Sequence, residues 1–237
     1  MKQNTYTFLF ATIICVISAV LLSGISEGLK EKQKLNEELD VKKNILKAVQ
    51  LQEPVDSKMK AAEVLNVYET KIEELVIDET GEIVEGKKIS DIQAQAFYPL
   101  YVYKEGDQIM AYAFPIVGQG LWSTLYGYMA LEADVTTVRG VTFYKHGETP
   151  GLGGEIEKEW FQNNFKGKTI WSTQENKLTP IAVLKGKVSE MYKDDPEGGK
   201  HYVDGITAAT LTGNGVTDLI DQSVRHYEPY FSKQRKI

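Results

Sequence analysis

Three glycine-bearing stretches hold most of the residues whose types and spacing suit chemistry. The last is Asp204-Gly205-Ile206-Thr207-Ala208-Ala209-Thr210-Leu211-Thr212-Gly213-Asn214-Gly215-Val216. Its hydroxyls stand among small residues just before a run that reads as a helix. A helix N-terminus offers free N–H groups and the positive end of a dipole, which suits a phosphate. The plainer alternative is that Thr212 or Asn214 only caps the helix. The second stretch is His146-Gly147-Glu148-Thr149-Pro150-Gly151-Leu152-Gly153-Gly154. Pro150-Gly151 is the central pair of a type II turn, and the amides of Gly153-Gly154 can form a ligand-binding concavity. The alternative is a flexible turn leading into a helix. The first stretch is Gly118-Gln119-Gly120-Leu121-Trp122. It reads either as a close backbone approach with flat apolar area beside it, or as a β-bulge with a core tryptophan.

None of the three matches a P-loop, a dinucleotide fingerprint, a G-x-S-x-G elbow or an H-E-x-x-H helix. No nucleophile–base pair stands out. One cysteine excludes an intrachain disulfide and a cysteine-based zinc site, and three scattered histidines give no metal-ligand spacing. Lys+Arg 27 against Asp+Glu 33 gives a net charge of −6, which argues against a nucleic-acid partner.

The elements that must position these stretches follow from an uneven chain. Of the 20 glycines, two precede residue 29, none lies from 29 to 80, and the other 18 follow. That distribution predicts helices first and a turn-rich sheet domain after. Residues 29–50 read as a charged amphipathic helix, with Leu35, Leu39, Leu46 and Val49 on one stripe. Pro54 ends it, and Asp56 or Ser57 can cap a second helix to about Lys71. Strand-like runs then flank Glu79-Thr80-Gly81 and Glu105-Gly106-Asp107, two hairpin signals. LYGYMALEA and VRGVTFYK continue as strands, residues 155–165 read as a helix, KLTPIAVLKGKVS as a strand or pair, and about Thr212 to Phe231 as the last helix. The fold class is α+β.

Gln3 to Ser26 is a run of 24 residues without a charge, strongly apolar from Phe8 to Ile25. About 20 such residues at ~1.5 Å each cross a ~30 Å hydrocarbon core. The run is long and lacks an A-x-A-like cleavage site, so it reads as an uncleaved anchor with Cys15 in mid-span. The predicted division is an anchor over 1–28, a helical membrane-proximal spacer over 29–80, and a folded domain over 81–237. Lys30, Lys32, Lys34, Lys42 and Lys43 after the span, against Lys2 before it, favour a cytoplasmic domain. Long domains translocate despite local charge, so the charge pattern alone does not choose the side.

The segment DGITAATLT resembles the flavinylation motif D-G-x-[ST]-[GS]-A-T-x-[ST] of the FMN-binding domain family. HGETPGLGGEI and GQGLWSTLYGYMALEAD resemble its flavin-site segments. The anchor with LKEKQKLNEELDVKKNIL resembles the start of the NqrC subunits of the Na+-translocating NADH:quinone reductases. The likeness runs almost end to end. It departs at Ala208, where the motif has Gly or Ser. The resemblance implies FMN joined through a phosphoester to Thr210 by a separate Mg2+-dependent transferase that takes it from FAD. It implies one-electron transfer between cofactors of a membrane complex, from NADH oxidation towards quinone and coupled to sodium export. The other membrane subunits would be partners, with the domain periplasmic in the bacterial inner membrane. On that resemblance Trp122 and Leu152 are candidate flavin walls, and Glu148 and Thr149 candidate polar contacts. Ala209, Leu211 and Thr212 flank the attachment point, and Lys185 or Lys187 offers counter-charge; the alternative for the lysines is a solvated strand face. Competing readings are the equivalent FMN-carrying subunit of an Rnf-type electron-transport complex and an anchored binding module without cofactor.

Overall fold

The computed structural model describes residues 2–50, 59–92 and 96–235. The expected helix break at Pro54 and the caps at Asp56 or Ser57 lie outside the described residues. One unbroken helix, α1 (Lys2–Ala48), takes in both the apolar run and the charged stripe. The chain divides into two compact units, residues 1–41 and 42–237.

In the first unit, an 18-residue window of the helix reaches a mean hydropathy of 2.6 and buries none of its residues. By length and composition it can cross a membrane. Phe8, Leu9, Phe10, Val20 and Leu22 are all exposed, as lipid-facing side chains would be.

In the second unit come α2 (Ala61–Lys71) and five strands: β1 (Ile72–Asp78), β2 (Phe97–Glu105), β3 (Gln108–Gln119), β4 (Thr124–Glu132) and β5 (Val138–Lys145). They pair antiparallel in chain order. The Glu105 hairpin forms as predicted: Glu105 pairs with Gln108 and Gly106 takes φ +60°. The turn at Gly81 forms too, but its second arm contributes only an isolated bridge, Ile77 to Ile83, and β2 becomes the sheet partner of β1. The Asp78 carboxylate closes that turn by accepting from the Thr80 and Glu82 amides.

Beyond the sheet follow α3 (Glu159–Gln162), β6 (Trp171–Ser172), β7 (Lys177–Leu178), β8 (Ala182–Val183), α4 (Val188–Met191), β9 (Tyr202–Val203) and α5 (Thr210–Gln234). The helix predicted over 155–165 is broken into two 3-10 turns around the short α3, because Lys158 is extended (φ −80°, ψ 143°). That break lets Ile156, Phe161 and Phe165 all reach the core. Pro180 separates β7 from β8, since proline cannot donate to a ladder.

The core forms between α5 and the sheet. Tyr112, Phe114 and Ile116 alternate along β3 and are buried together with Val216, Leu219, Ile220, Val224, Tyr227 and Phe231 of α5. Phe114 and Tyr227 ring centroids stand 4.5 Å apart. Each such side chain contributes about 1.5–3 kcal/mol on burial. At the far end of α1, Arg139 of β5 donates from Nε to the Val49 carbonyl and from an NH2 nitrogen to the Gln50 carbonyl at 3.4 Å. This satisfies two carbonyls of the turn that follows the helix.

Candidate functional site

The β3–β4 hairpin carries the first glycine stretch. Gln119 pairs with Thr124, and the Gly120 amide donates to the Ser123 carbonyl at 2.8 Å. Helix α5 lies directly on this hairpin. A Cβ at Gly215 would sit 2.5 Å from the Gln119 carbonyl oxygen, so only glycine lets the backbones come this close. The approach brings the first turn of α5 beside the hairpin loop.

The second stretch leaves β5 and folds back. The Thr149 carbonyl accepts from Leu152 at 3.1 Å and from Gly154 at 2.9 Å, and Gly151 takes φ +74°, as a type II turn requires. This turn places Glu148 between the hairpin and α5. Glu148 Oε1 accepts from the Trp122 amide at 2.9 Å and the Ser123 amide at 3.4 Å, and its Oε2 accepts from the Thr212 hydroxyl at 2.6 Å. Glu148 is 4% exposed. Burial by itself raises its pKa, but donation from the Thr212 hydroxyl and from the Trp122, Ser123 and Leu121 amides outweighs that and holds it below the usual glutamate value.

The third stretch supplies the start of α5. Thr210 is its first residue, Ala209 its N-cap, and no side chain caps it. Thr212 therefore does not cap the helix; its hydroxyl is spent on Glu148. Thr210 is exposed, with buried Ala209 before it and exposed Leu211 after it. The three glycine stretches, separate in sequence, thus meet at one buried carboxylate.

Residues 120–225 match the FMN-binding domain family. The chain is 34% identical to the NqrC subunit of the Na(+)-translocating NADH-quinone reductase of Yersinia pestis, over 97% of this chain and 92% of that one. It is 32% identical to the same subunit of Pseudomonas aeruginosa, over 92% and 90% of the two chains. The chain belongs to the NqrC family of Na+-translocating NADH-quinone reductase subunits. The crystal structure of the Parabacteroides distasonis relative superposes with a TM-score of 0.71 at 32% identity, covering 86% of this chain and 97% of that one. NqrC of Shewanella oneidensis, 24% identical with a TM-score of 0.67, shares the fold.

Within this NqrC fold the remaining candidates are exposed side chains. Trp122 is 69% exposed, which removes the core-tryptophan alternative. Leu121, Leu152 and Leu211 are also exposed, each next in sequence to Trp122, Gly153 or Thr212. Thr149 is exposed at the turn. Lys187 lines a cleft of 450 Å³ with Gly151, Trp160 and residues 204–207, next to the start of α5. Lys185 lies on the same link between β8 and α4 and is exposed. Ala208 takes φ +59°, the left-handed conformation that the motif's usual glycine adopts freely.

Three further residues of the site gave no signal as partners in the sequence. Ser123 Oγ accepts from the Gly147 amide at 2.5 Å, and His146 Nδ1 accepts from the Glu148 amide at 3.2 Å. Gly153 is packed so that a Cβ would lie 2.4 Å from Thr212 Oγ1 and 2.8 Å from Glu148 Oε2. The glycines were a visible signal, but their partner carboxylate was not.

Proposed function

We propose that this chain is the FMN-carrying NqrC subunit of a Na+-translocating NADH:quinone reductase, relaying single electrons between neighbouring cofactors on the way from NADH to quinone, coupled to sodium export. The observation that carries this reading is Thr210: an exposed hydroxyl on the first residue of a 25-residue helix with no side-chain cap, bordered by small residues and an exposed apolar rim. The site fits FMN. The small Ala208 and Ala209 leave the hydroxyl open to a flavin transferase, and Thr210 Oγ accepts the FMN half of FAD with release of AMP. The amides of the first turn of α5 favour the resulting phosphodiester, and Lys185 and Lys187 add counter-charge.

Bound FMN supplies the one-electron chemistry, and the protein orients it and sets its environment. Trp122, Leu152 and Leu211 are the apolar walls; Thr149 offers a hydroxyl. Glu148 acts differently from a free polar contact. Its oxygens are held by protein donors, so it fixes the hairpin, the loop and Thr212 in one arrangement and keeps a buried negative charge where they meet. Residues 1–28 are the anchor in the bacterial inner membrane, the folded domain is periplasmic, and the other membrane subunits of the complex are its neighbours.

The test is direct. Co-produced with its transferase, the full chain is expected to run as a fluorescent band on a denaturing gel, with a mass higher by one FMN less one water. Thr210→Val is expected to lose both while keeping its melting profile. A fluorescent Thr210→Val band would remove Thr210 as the attachment residue. A reporter fused after Ile237 tests the side of the membrane; activity on the cytoplasmic side would overturn the periplasmic assignment.

A further inference from the structure

His146 opens the loop that carries Glu148. Its side chain is only 11% exposed. Nδ1 accepts the Glu148 amide hydrogen at 3.2 Å. Nε2 is buried without a hydrogen-bond partner among the described residues, and faces the Glu157 carboxylate at 3.5 Å. A ring nitrogen that accepts a hydrogen bond carries no proton, so the neutral ring holds its proton on Nε2, towards Glu157. The charged group facing the ring is Glu157, with the Lys158 ammonium bound to it at 2.7 Å. The Glu157 carboxylate at Nε2 and the Glu148 amide at Nδ1 both fit a proton on Nε2 and a bare Nδ1.

The neighbouring amide is held as well, because Gly147 donates to Ser123 Oγ of the β3–β4 hairpin. Two successive amides, Gly147 and Glu148, are thus each received by a side chain. Between them they set the backbone from which the Glu148 carboxylate reaches Trp122 and Thr212.

We propose that His146 is a positioning residue of the flavin site: in its Nε2–H tautomer it fixes the Glu148 backbone, and through it the carboxylate that ties the Trp122 loop to the start of α5. This rests on the reading of Thr210 as the FMN attachment point. A ring protonated on Nδ1 would set N–H against N–H and release the loop. Misplacing a site by about 1 Å is enough to cost orders of magnitude in a positioned reaction.

Chemistry separates this role from simple packing. In His146→Asn the side-chain oxygen sits at about the place of Nδ1 and still accepts the amide. In His146→Gln the acceptor lies one bond further out, and His146→Leu has none. With full-length protein and limiting transferase, His146→Asn is expected to keep wild-type FMN occupancy by mass and the wild-type visible circular dichroism of the flavin. His146→Gln and His146→Leu are expected to lose occupancy several-fold and to change that dichroism. Wild-type occupancy and dichroism in His146→Leu would overturn the proposal.

A second measurement needs no flavin. In the full-length Thr210→Val chain labelled with 15N-histidine, the His146 resonances are expected to report a protonated Nε2 and a hydrogen-bonded, unprotonated Nδ1. A proton on Nδ1 would overturn the proposal even if a variant failed to fold. Absence of FMN from the wild type would sink the attachment reading, while the tautomer would still decide the His146–Glu148 contact.

Discussion

Thr212 donates its hydroxyl to Glu148 Oε2 at 2.6 Å, joining the first turn of α5 to a loop 64 residues earlier in the chain. The pair is buried, and the other oxygen of the same carboxylate holds the Trp122 amide. One side chain therefore gathers all three segments of the site.

Thr212→Val keeps the shape and deletes the donor. Hydrogen bonds to a charged, buried group are worth about 1.5–3 kcal/mol, so a loss of about 2 kcal/mol is expected in denaturant unfolding of the full chain. Glu148→Gln is expected to cost at least as much, because its amide nitrogen has to face donors. A Thr212→Val protein as stable as wild type would show that the pair contributes nothing.

The same carboxylate predicts a pH dependence. Its folded pKa lies below the usual glutamate value, while the unfolded chain titrates near ~4.3. Its stabilisation is therefore complete above the unfolded value and is lost as pH falls through the folded one. Melting temperatures at successive pH values below about 4.3 should fall more steeply for wild type than for Glu148→Gln. Parallel curves would contradict the assignment.

Gly153→Ala should break the pair from the other side, since its Cβ would stand 2.4 Å from Thr212 Oγ1. The cost is expected to overlap with that of Thr212→Val. A double-mutant cycle should show a coupling of about 1 kcal/mol or more, as for residues in direct contact. Additive losses would mean that the two substitutions act independently.

Ala208 holds φ +59° ahead of the attachment threonine. A left-handed non-glycine residue costs about 1–2 kcal/mol, partly offset on substitution because glycine frees the unfolded chain. Ala208→Gly is expected to stabilise by about 0.5–1 kcal/mol. Ala208→Val is expected to destabilise and to slow flavinylation, a β-branched residue being an outlier at that angle. Faster flavinylation in Ala208→Val would refute this account.

Gly81→Ala separates stability from the site. Its φ is +73° and a Cβ would lie 2.3 Å from the Tyr230 amide nitrogen, where the turn after β1 meets α5 beyond Pro229. A loss of about 2–4 kcal/mol is expected, in the range of overpacking combined with backbone strain. Flavin dichroism of the folded fraction should stay unchanged; a shifted spectrum would show that this turn communicates with the site.

Much of this protein was legible from local pattern. The uncharged run to Ser26, the strand periods of β2 to β5, the Glu105 hairpin and the last helix all follow from dihedral preference and hydrophobic spacing, which act over a few residues. So does the grouping of Thr207, Ala209, Thr210 and Thr212, because a motif is contiguous. Local pattern misjudged the stretch after Gly153, where the buried positions Ile156, Phe161 and Phe165 override helix propensity. It also could not choose between a core and an exposed Trp122, or between a capping and a bonded Thr212. Those choices belong to packing. Helix α5 lies on the β3–β4 hairpin because Gly215 lets the backbones approach, and only then do Glu148, Trp122 and Thr212 come within hydrogen-bond reach. Local pattern picks out the candidate residues; packing decides which of them touch, because a buried carboxylate takes its donors from wherever the packed backbone brings them.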